Sequence, residues 1–168
     1  MTVFHGSNVI VTEPKIIPPN RLLDFGDGFY ATPSHEQACR WARRVMSQQK
    51  TERQIINVYE FDITGAEKDL IIIQFDFPNS EWLRFVTACR SGKKIDQPYD
   101  IAGGPVANDN VYATIQLFET GLLSEAETIT RLKVEKLYSQ ILFHTEKALK
   151  YLVYIKHENI KHTDIRNP

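Results

Sequence analysis

The chain of 168 residues has only two cysteines and a net charge of -1, so several classes of protein are excluded at the outset. Cys39 and Cys89 do not form a CxxC pair, and both fall on apolar faces of helical patterns. We expect them to be small buried side chains in a reducing compartment, not a disulfide framework. The near-zero charge argues against strong overall attraction to nucleic acid or anionic membrane. The five histidines show no HExxH or similar spacing, so no metal is expected.

Long hydrophobic runs are also missing. No apolar stretch approaches the roughly 20 residues that a membrane-spanning helix needs. The N-terminus, MTVFHGSNVIV, lacks the basic region and small-residue cleavage site of a signal peptide. We therefore expect a cytoplasmic protein without a membrane partner. No repeat, low-complexity segment or long linker divides the chain, which predicts a single domain over residues 1–168.

The hydrophobic periodicity predicts a mixed α+β fold with several short strands and about four helices. Ser34 is expected to cap a helix whose apolar stripe comprises Ala38, Trp41, Ala42, Val45 and Met46. Further helices are expected from Asn79–Ser80, with Trp82, Phe85, Val86 and Cys89 buried, and over 109–120 and 124–137, with a short one capped by Thr145. Strands are predicted at 2–5, at the end of the turn in 25–32, and at 55–63, 70–75, 99–106, 138–143 and 151–155.

His5-Gly6-Ser7, at the end of the first predicted strand, is the first segment that could carry chemistry. A histidine there can donate to a ribose hydroxyl, and Gly6 lets its backbone N–H and C=O approach a planar amide. Taken alone, the segment is better explained by a strand-end histidine followed by a turn glycine.

The second segment is Phe25–Thr32, FGDGFYAT, in which two glycines precede an aromatic pair. The turn can present the Tyr30 ring for stacking on a flat cationic heterocycle such as nicotinamide. The alternative is a hairpin turn with Tyr30 in the core. A phosphate-binding loop is excluded because the GxGxxG spacing is not met and no Walker lysine follows.

The third segment begins at Tyr138 and runs through SQILFHTEKALKYLVYI. Gln140 opens a predicted strand, so its side chain could reach a ligand at the end of a sheet. A polar strand residue that faces solvent is the alternative.

In this order the three segments resemble the ADP-ribosyltransferase superfamily. The closest likeness is to its diphtheria-toxin and poly(ADP-ribose)-polymerase branch, which has a His-Tyr-Glu triad. The chain also resembles a family of uncharacterised bacterial domains of that superfamily, often encoded beside a small antitoxin-like partner. The resemblance implies a split β-sheet core with peripheral helices. It further implies NAD+ as co-substrate and mono-ADP-ribosylation of an unknown protein or nucleic-acid target.

The resemblance also implies roles for individual residues. His5 would hold the adenosine ribose, Gly6 would clamp the nicotinamide carboxamide, and Tyr30 would stack on the nicotinamide ring. Gln37 would lie near the place of a carboxamide-binding serine. Arg21 would meet the diphosphate, unless it is an ordinary exposed loop cation. The remaining expected NAD+ contacts are the neighbours of these residues in the two motifs, Ser7, Gly28 and Thr32.

Gln140 stands where the triad has its glutamate. It keeps a hydrogen-bonding carbonyl but loses the negative charge and any capacity as a base. The loss of such a charge can cost roughly 100-fold or more in rate. Three outcomes remain open: an acceptor that needs little activation, a substitute carboxylate, or NAD+ binding without transfer.

Asp109 is the first choice for the substitute carboxylate, although it could equally cap a helix. Asp100 is a second choice. Glu146 is explained by its place in the first turn of a helix. A basic face on the first long helix predicts either a solvated surface or attraction of an RNA or acidic target, and comprises Arg40, Arg43, Arg44, Lys50 and Arg53.

Overall fold

The fold is mixed α+β, as predicted. A computed structural model describes residues 1–17, 22–93, 95–106, 109–133 and 137–160, without the side chains of 109 and 110. Within these ranges the seven strands are β1 (Thr2–Ser7), β2 (Phe29–Ala31), β3 (Ile55–Phe61), β4 (Ile72–Gln74), β5 (Ile101–Pro105), β6 (Ser139–Phe143) and β7 (Leu152–Asn159). The six helices are α1 (His35–Gln49), α2 (Ile63–Asp69), α3 (Ser80–Arg90), α4 (Asp109–Glu119), α5 (Glu125–Leu132) and α6 (Glu146–Leu149).

The strands form two sheets that meet at one point. The first sheet has the order β1-β3-β7 and is antiparallel. The second has the order β2-β6-β5-β4, in which only the β4–β5 pair is parallel. A single rung joins them: Phe4 N–H donates to Thr32 O at 2.8 Å, and Thr32 N–H donates to Phe4 O at 2.9 Å. The sheets therefore touch at the β1–β2 boundary and diverge from it.

Two large apolar clusters support this arrangement. The first lies between α3, α4, α5 and the second sheet, and its fully buried members include Phe25, Trp82, Ile115 and Leu132. The second lies between the sheets, α2 and α6, and includes Val3, Tyr59, Phe61 and Phe143. Burial of side chains of this size contributes roughly 1.5–3 kcal/mol each, so the strands around the junction are held on both sides.

Helix α1 packs directly on β1. A Cβ atom built on Gly6 would lie 2.1 Å from the carbonyl oxygen of Ala38 and 2.7 Å from the amide nitrogen of Ala42. Only glycine allows this approach of helix and strand. Ser34 caps α1 through a hydrogen bond from Gln37 N–H, which confirms the predicted start of the helix. Asn79 likewise caps α3, whose predicted buried residues are all buried.

Several predictions were wrong. Ile63 does not end a strand, because the Asp62 side chain accepts the N–H of Gly65 and caps α2 after β3 ends at Phe61. This unpredicted helix brings the number in the described residues to six. Trp41 is 39% exposed although Ala38 and Ala42 of the same predicted stripe are buried, because close packing on β1 leaves room only for the small residues.

Three further boundaries or burial predictions differ from the structure. Helix α5 ends at Leu132 rather than near residue 137, and β7 continues to Asn159 because it pairs with β3 along its whole length. Cys89 is buried, as predicted, but Cys39 is only half-buried and contacts His35. No helix in the described part of the chain is both long enough and apolar enough to cross a membrane.

Candidate functional site

A cleft of about 1060 Å³ opens where the two sheets diverge. It is much larger than a second cavity of about 360 Å³ beside Pro105 and Leu137. Eight of the residues predicted from sequence to contact NAD+ line this cleft. They come from six places in the chain: β1, the loop before β2, β2, the residue after β2, α1 and β6. They are His5, Gly6, Ser7, Gly28, Tyr30, Thr32, Gln37 and Gln140.

The cleft begins where the ladder between β1 and β2 stops. Alternate residues of a strand direct their amide groups to the same side, so Gly6 points its N–H and C=O the same way as Phe4, away from β3. In a continuous ladder the next rung would join Gly6 to Tyr30. Among the described residues that rung is not made. The backbone amide groups of Gly6 therefore face the opening between the sheets.

His5 takes the place of the missing rung. Its Nδ1 lies 2.7 Å from the carbonyl oxygen of Tyr30. A carbonyl can only accept, so Nδ1 carries the proton and Nε2 carries a lone pair. Burial lowers the pKa of His5, which keeps the ring neutral near pH 7. His5 can therefore accept a hydrogen bond from a ligand hydroxyl through Nε2, the reverse of the donor role expected from sequence.

Tyr30 is half-buried and its hydroxyl is fully engaged. The hydroxyl donates to Gly26 O at 2.6 Å and accepts from Phe25 N–H at 3.2 Å. Burial raises its pKa, so the phenol stays protonated. The side chain also packs against the first apolar cluster. The alternative prediction, that Tyr30 lies in the core, is therefore partly correct. A ligand can meet only the ring of Tyr30, not its hydroxyl.

The neighbouring motif residues fix the wall of the cleft. A Cβ on Gly28 would lie 2.4 Å from Phe143 O, and its φ of 150° also favours glycine, so this residue lets the loop approach β6. The Thr32 hydroxyl lies 2.8 Å from both Gln37 Oε1 and Ser139 O. It also accepts a hydrogen bond from Ser34 N–H. Thr32 and Gln37 thus tie β2, α1 and β6 together at the cleft.

Gln140 does not face solvent, which overturns that alternative. It pairs with Gly104 in the centre of the second sheet and is only 8% exposed. Within the described residues its buried Nε2 has no hydrogen-bond partner. A buried donor without a partner costs about 1–3 kcal/mol. Such an atom on the wall of a cleft is satisfied when a ligand brings an acceptor.

The carboxylates predicted as substitutes are placed differently. Asp100 is structural, because Oδ2 accepts from Ile71 N–H at 3.0 Å and Oδ1 accepts from Thr145 Oγ1 at 2.8 Å. Glu146 is exposed in the first turn of α6, and neither residue lines the cleft. Asp109 begins α4, but its side chain lies outside the described part of the chain, and Arg21 lies outside it altogether.

Sequence reasoning missed an ion pair on another wall of the cleft. Arg90 Nη1 lies 2.6 Å from Asp24 Oδ1, and the two side chains are only 18% and 11% exposed. The Arg90 guanidinium carbon lies 4.2 Å from the centre of the Tyr112 ring. The three residues come from the loop before β2, from α3 and from α4, and 66 positions separate the charged pair. Local patterns hold no signal for such a contact.

Two residues of α1 also reach the cleft. Trp41 and Arg44 line it, and the Arg44 guanidinium carbon lies 5.7 Å from the Trp41 ring centre. Trp41 was expected in the core and Arg44 on a basic surface. The cleft thus contains an exposed aromatic side chain next to a cation, in addition to the residues the motifs predicted. In the described residues no three His, Cys, Asp or Glu side chains are grouped as metal ligands.

Comparison with known families identifies a match over most of the chain. A family model described as a protein of unknown function, DUF3990, matches residues 1–154. No curated protein and no solved structure matches the chain.

Proposed function

The chain belongs to the DUF3990 family, and we propose that it binds NAD+ in the cleft and transfers ADP-ribose to a macromolecule, with release of nicotinamide. One observation carries the proposal: eight residues expected at an NAD+ site on sequence grounds line a single cleft at the divergence of two sheets. These residues lie as far apart in sequence as His5 and Gln140. A volume of about 1060 Å³ is ample for a dinucleotide.

The polar groups at the sheet junction suit the nicotinamide riboside half of NAD+. The N–H and C=O of Gly6 are a donor and an acceptor side by side, which is the pattern that a carboxamide complements. The Tyr30 ring offers a π-face to a cationic heterocycle. Gln140 Nε2 can donate to an oxygen of the nicotinamide ribose, while His5 Nε2 can accept from a hydroxyl of the adenosine ribose, as the resemblance implies. Every one of these protein groups is neutral.

The reaction breaks the bond between ribose C1′ and the nicotinamide nitrogen. Nicotinamide leaves with the electron pair, and positive charge develops on the ribose. A nucleophile of the target then forms the new bond to C1′ and loses its proton to water. Burial in the cleft strengthens the interaction between the ribose and any charged group of the protein near it.

A second candidate is a module that binds NAD+ or ADP-ribose without transfer. It is favoured by Gln140, because a neutral amide cannot stabilise the developing positive charge as a carboxylate does. In this case the orphaned Nε2 would serve binding alone.

The cellular role follows from the resemblance described above. We propose that the chain is the toxin of a toxin–antitoxin pair, with a protein or nucleic-acid target and a small protein antitoxin. Expression in a bacterial host should then arrest growth, and co-expression of the neighbouring gene should relieve the arrest. Normal growth at high expression of the active protein would contradict the toxin role.

The proposed function is tested with NAD+ labelled in the adenine ring. Calorimetry measures its binding to the purified chain, and incubation with a cell lysate shows whether label enters protein, nucleic acid or neither. Transfer predicts a labelled macromolecule together with free nicotinamide. The binding module predicts heat of binding without either product. If no heat is detected and no nicotinamide is released, the assignment of NAD+ is wrong.

Two variants locate the site in the same assays. His5→Ala removes the acceptor at the sheet junction and should weaken NAD+ binding. His157→Ala is the matched control, because this exposed histidine lies on β7, away from the cleft. Equal affinity of the two variants would mean that NAD+ binds elsewhere.

A further inference from the structure

We propose that Asp24, held by Arg90, supplies to the cleft the negative charge that position 140 lacks, and that it stabilises the positive charge developing on the ribose as nicotinamide leaves. This inference rests on the proposed function. It assigns a role to Asp24, which is not among the NAD+ contacts expected from the sequence.

Burial distinguishes Asp24 from the other described carboxylates that line the cleft. Glu13 and Glu119 do so as well, but both residues are exposed to solvent. The Asp24 side chain is only 11% exposed. Water and salt screen an exposed charge strongly and a buried one weakly. Of the three, Asp24 therefore carries the charge that solvent screens least.

Asp24 lies in the loop that binds the hydroxyl of Tyr30, whose ring is expected to meet nicotinamide. The next residue, Phe25, is fully buried; its N–H donates to the Tyr30 hydroxyl at 3.2 Å, and its carbonyl accepts from Tyr99 at 2.8 Å. The backbone next to Asp24 is thus held to Tyr30. Burial is the main cause of the raised pKa of Tyr30, and the negative charge of Asp24 adds to it. The carboxylate is therefore close enough to act on groups at Tyr30.

Arg90 sets the orientation of this carboxylate. It binds Asp24 Oδ1 from α3, and its own guanidinium lies against Tyr112 of α4. Both contacts come from helices packed in the first apolar cluster, so the pair is anchored to rigid elements. A fixed charge needs no reorganisation when positive charge appears nearby, which is the condition for efficient electrostatic stabilisation.

The chemistry balances without a further reactant. The bond between C1′ and the nicotinamide nitrogen breaks, and its electron pair leaves with nicotinamide, which becomes neutral. The positive charge passes to the ribose, where the Asp24 carboxylate opposes it. The target's nucleophile supplies the electron pair of the new bond to C1′, and its proton passes to water. Asp24 is neither consumed nor protonated.

The test moves the negative charge from position 24 to position 140. Asp24→Asn should lower the rate of nicotinamide release at saturating NAD+ by about 100-fold, while the dissociation constant of NAD+ changes by less than about threefold. Gln140→Glu, added to the Asp24→Asn chain, restores a carboxylate at the cleft and should recover the rate by about tenfold or more. If Asp24 acts through its charge, Gln140→Glu should raise the rate more in the Asp24→Asn chain than in the wild type, whereas a purely structural role predicts equal gains in the two chains.

Controls separate charge from folding. Asp24→Asn leaves Arg90 without its partner, so the double variant Asp24→Asn, Arg90→Gln provides a chain without an unpaired cation, and its rate should also be low. Glu67→Gln removes an exposed carboxylate from α2, which does not line the cleft, and should leave the rate unchanged. Thermal unfolding of each variant reports whether it is folded.

Two results would overturn the inference. One is an Asp24→Asn rate within about threefold of the wild type; the other is failure of Gln140→Glu to raise the rate of a folded Asp24→Asn chain. In either case the proposed function would still hold if the wild type binds NAD+ and releases nicotinamide. Absence of NAD+ binding by the wild type would instead remove the proposed function and, with it, the role of Asp24.

Discussion

Two walls of one cleft differ in chemistry. At the junction of the sheets the groups are neutral: the backbone of Gly6, the His5 ring, the Tyr30 ring and the Gln140 amide. On the other wall an ion pair, Asp24 with Arg90, lies against Tyr112. We call the first group the neutral wall and the second the charged wall.

The difference shows how a site can divide ligand recognition and charge stabilisation between two groups of residues. Neutral donors and acceptors at fixed positions recognise the shape and polarity of a ligand but stabilise little charge. A buried ion pair provides a field but is costly to desolvate unless it is well paired. With a glutamine at position 140, recognition falls to the neutral wall. We propose that the electrostatic stabilisation comes from the charged wall.

Gly6→Ala should have the largest effect on stability, because it displaces a residue of the neutral wall. The added methyl group would meet the backbone of α1, with Ala38 O only 2.1 Å away, so helix and strand must separate. We expect a loss of about 3 kcal/mol or more in the free energy of unfolding, measured by urea denaturation.

Gly121→Ala is the control for that prediction. Its added Cβ has no atom within 4 Å, so only its φ of 75° opposes the substitution, at about 1 kcal/mol. Equal losses for the two variants would show that contact with α1 is not what requires glycine at position 6.

Tyr30→Ala should have the next largest effect. Removal of the ring should weaken NAD+ binding by about tenfold or more, because a cation–π contact contributes about 0.5–2 kcal/mol. Tyr30→Phe keeps the ring and loses only the hydroxyl, which the loop already engages. Calorimetry should therefore find the affinity of Tyr30→Phe close to that of the wild type. A loss as large for phenylalanine as for alanine would mean that the hydroxyl, not the ring, meets the ligand.

The neutral wall could be predicted from sequence and the charged wall could not. His5, Gly6 and Tyr30 lie in short segments whose glycines and strand ends constrain the local backbone, so the segment itself indicates what each residue can present. The contact between Asp24 and Arg90 depends on how α3 packs against the loop before β2. Such packing is set by apolar clusters spread over the whole chain, and no local spacing encodes it.

The same distinction between local and long-range contacts explains which parts of the fold could be predicted from sequence. The cap at Ser34 and the start of α3 near Asn79 were predicted, because helix starts are marked by residues within three positions of one another. The exposure of Trp41 was not, since it depends on the distance between α1 and β1. That distance is set by Gly6, whose own motif gives no indication of the helix against which it packs.

Gln140→Met should stabilise the protein in the absence of ligand and weaken binding. The Nε2 atom is buried without a partner in the described structure, and an apolar side chain of similar length removes that cost. We expect a gain of about 1 kcal/mol in the free energy of unfolding, with a lower affinity for NAD+. Gln140→Glu should instead lose stability, because it buries a carboxylate. A destabilised Gln140→Met chain would contradict the assignment of Nε2 as an orphaned donor.

The smallest effect concerns the protonation of His5. Burial lowers its pKa in the folded chain below the ordinary value of 6.5, so on acidification the unfolded chain binds the proton first. The free energy of unfolding should therefore fall as the pH drops below about 6.5 and continue to fall towards the folded pKa. His5→Gln keeps a polar side chain but cannot titrate, so it should lose less stability than the wild type between about pH 7.5 and pH 5.5. Urea denaturation at the two pH values measures this difference. Equal losses in both chains would mean that His5 is not held neutral at the sheet junction, and the neutral wall would then carry a charge of its own.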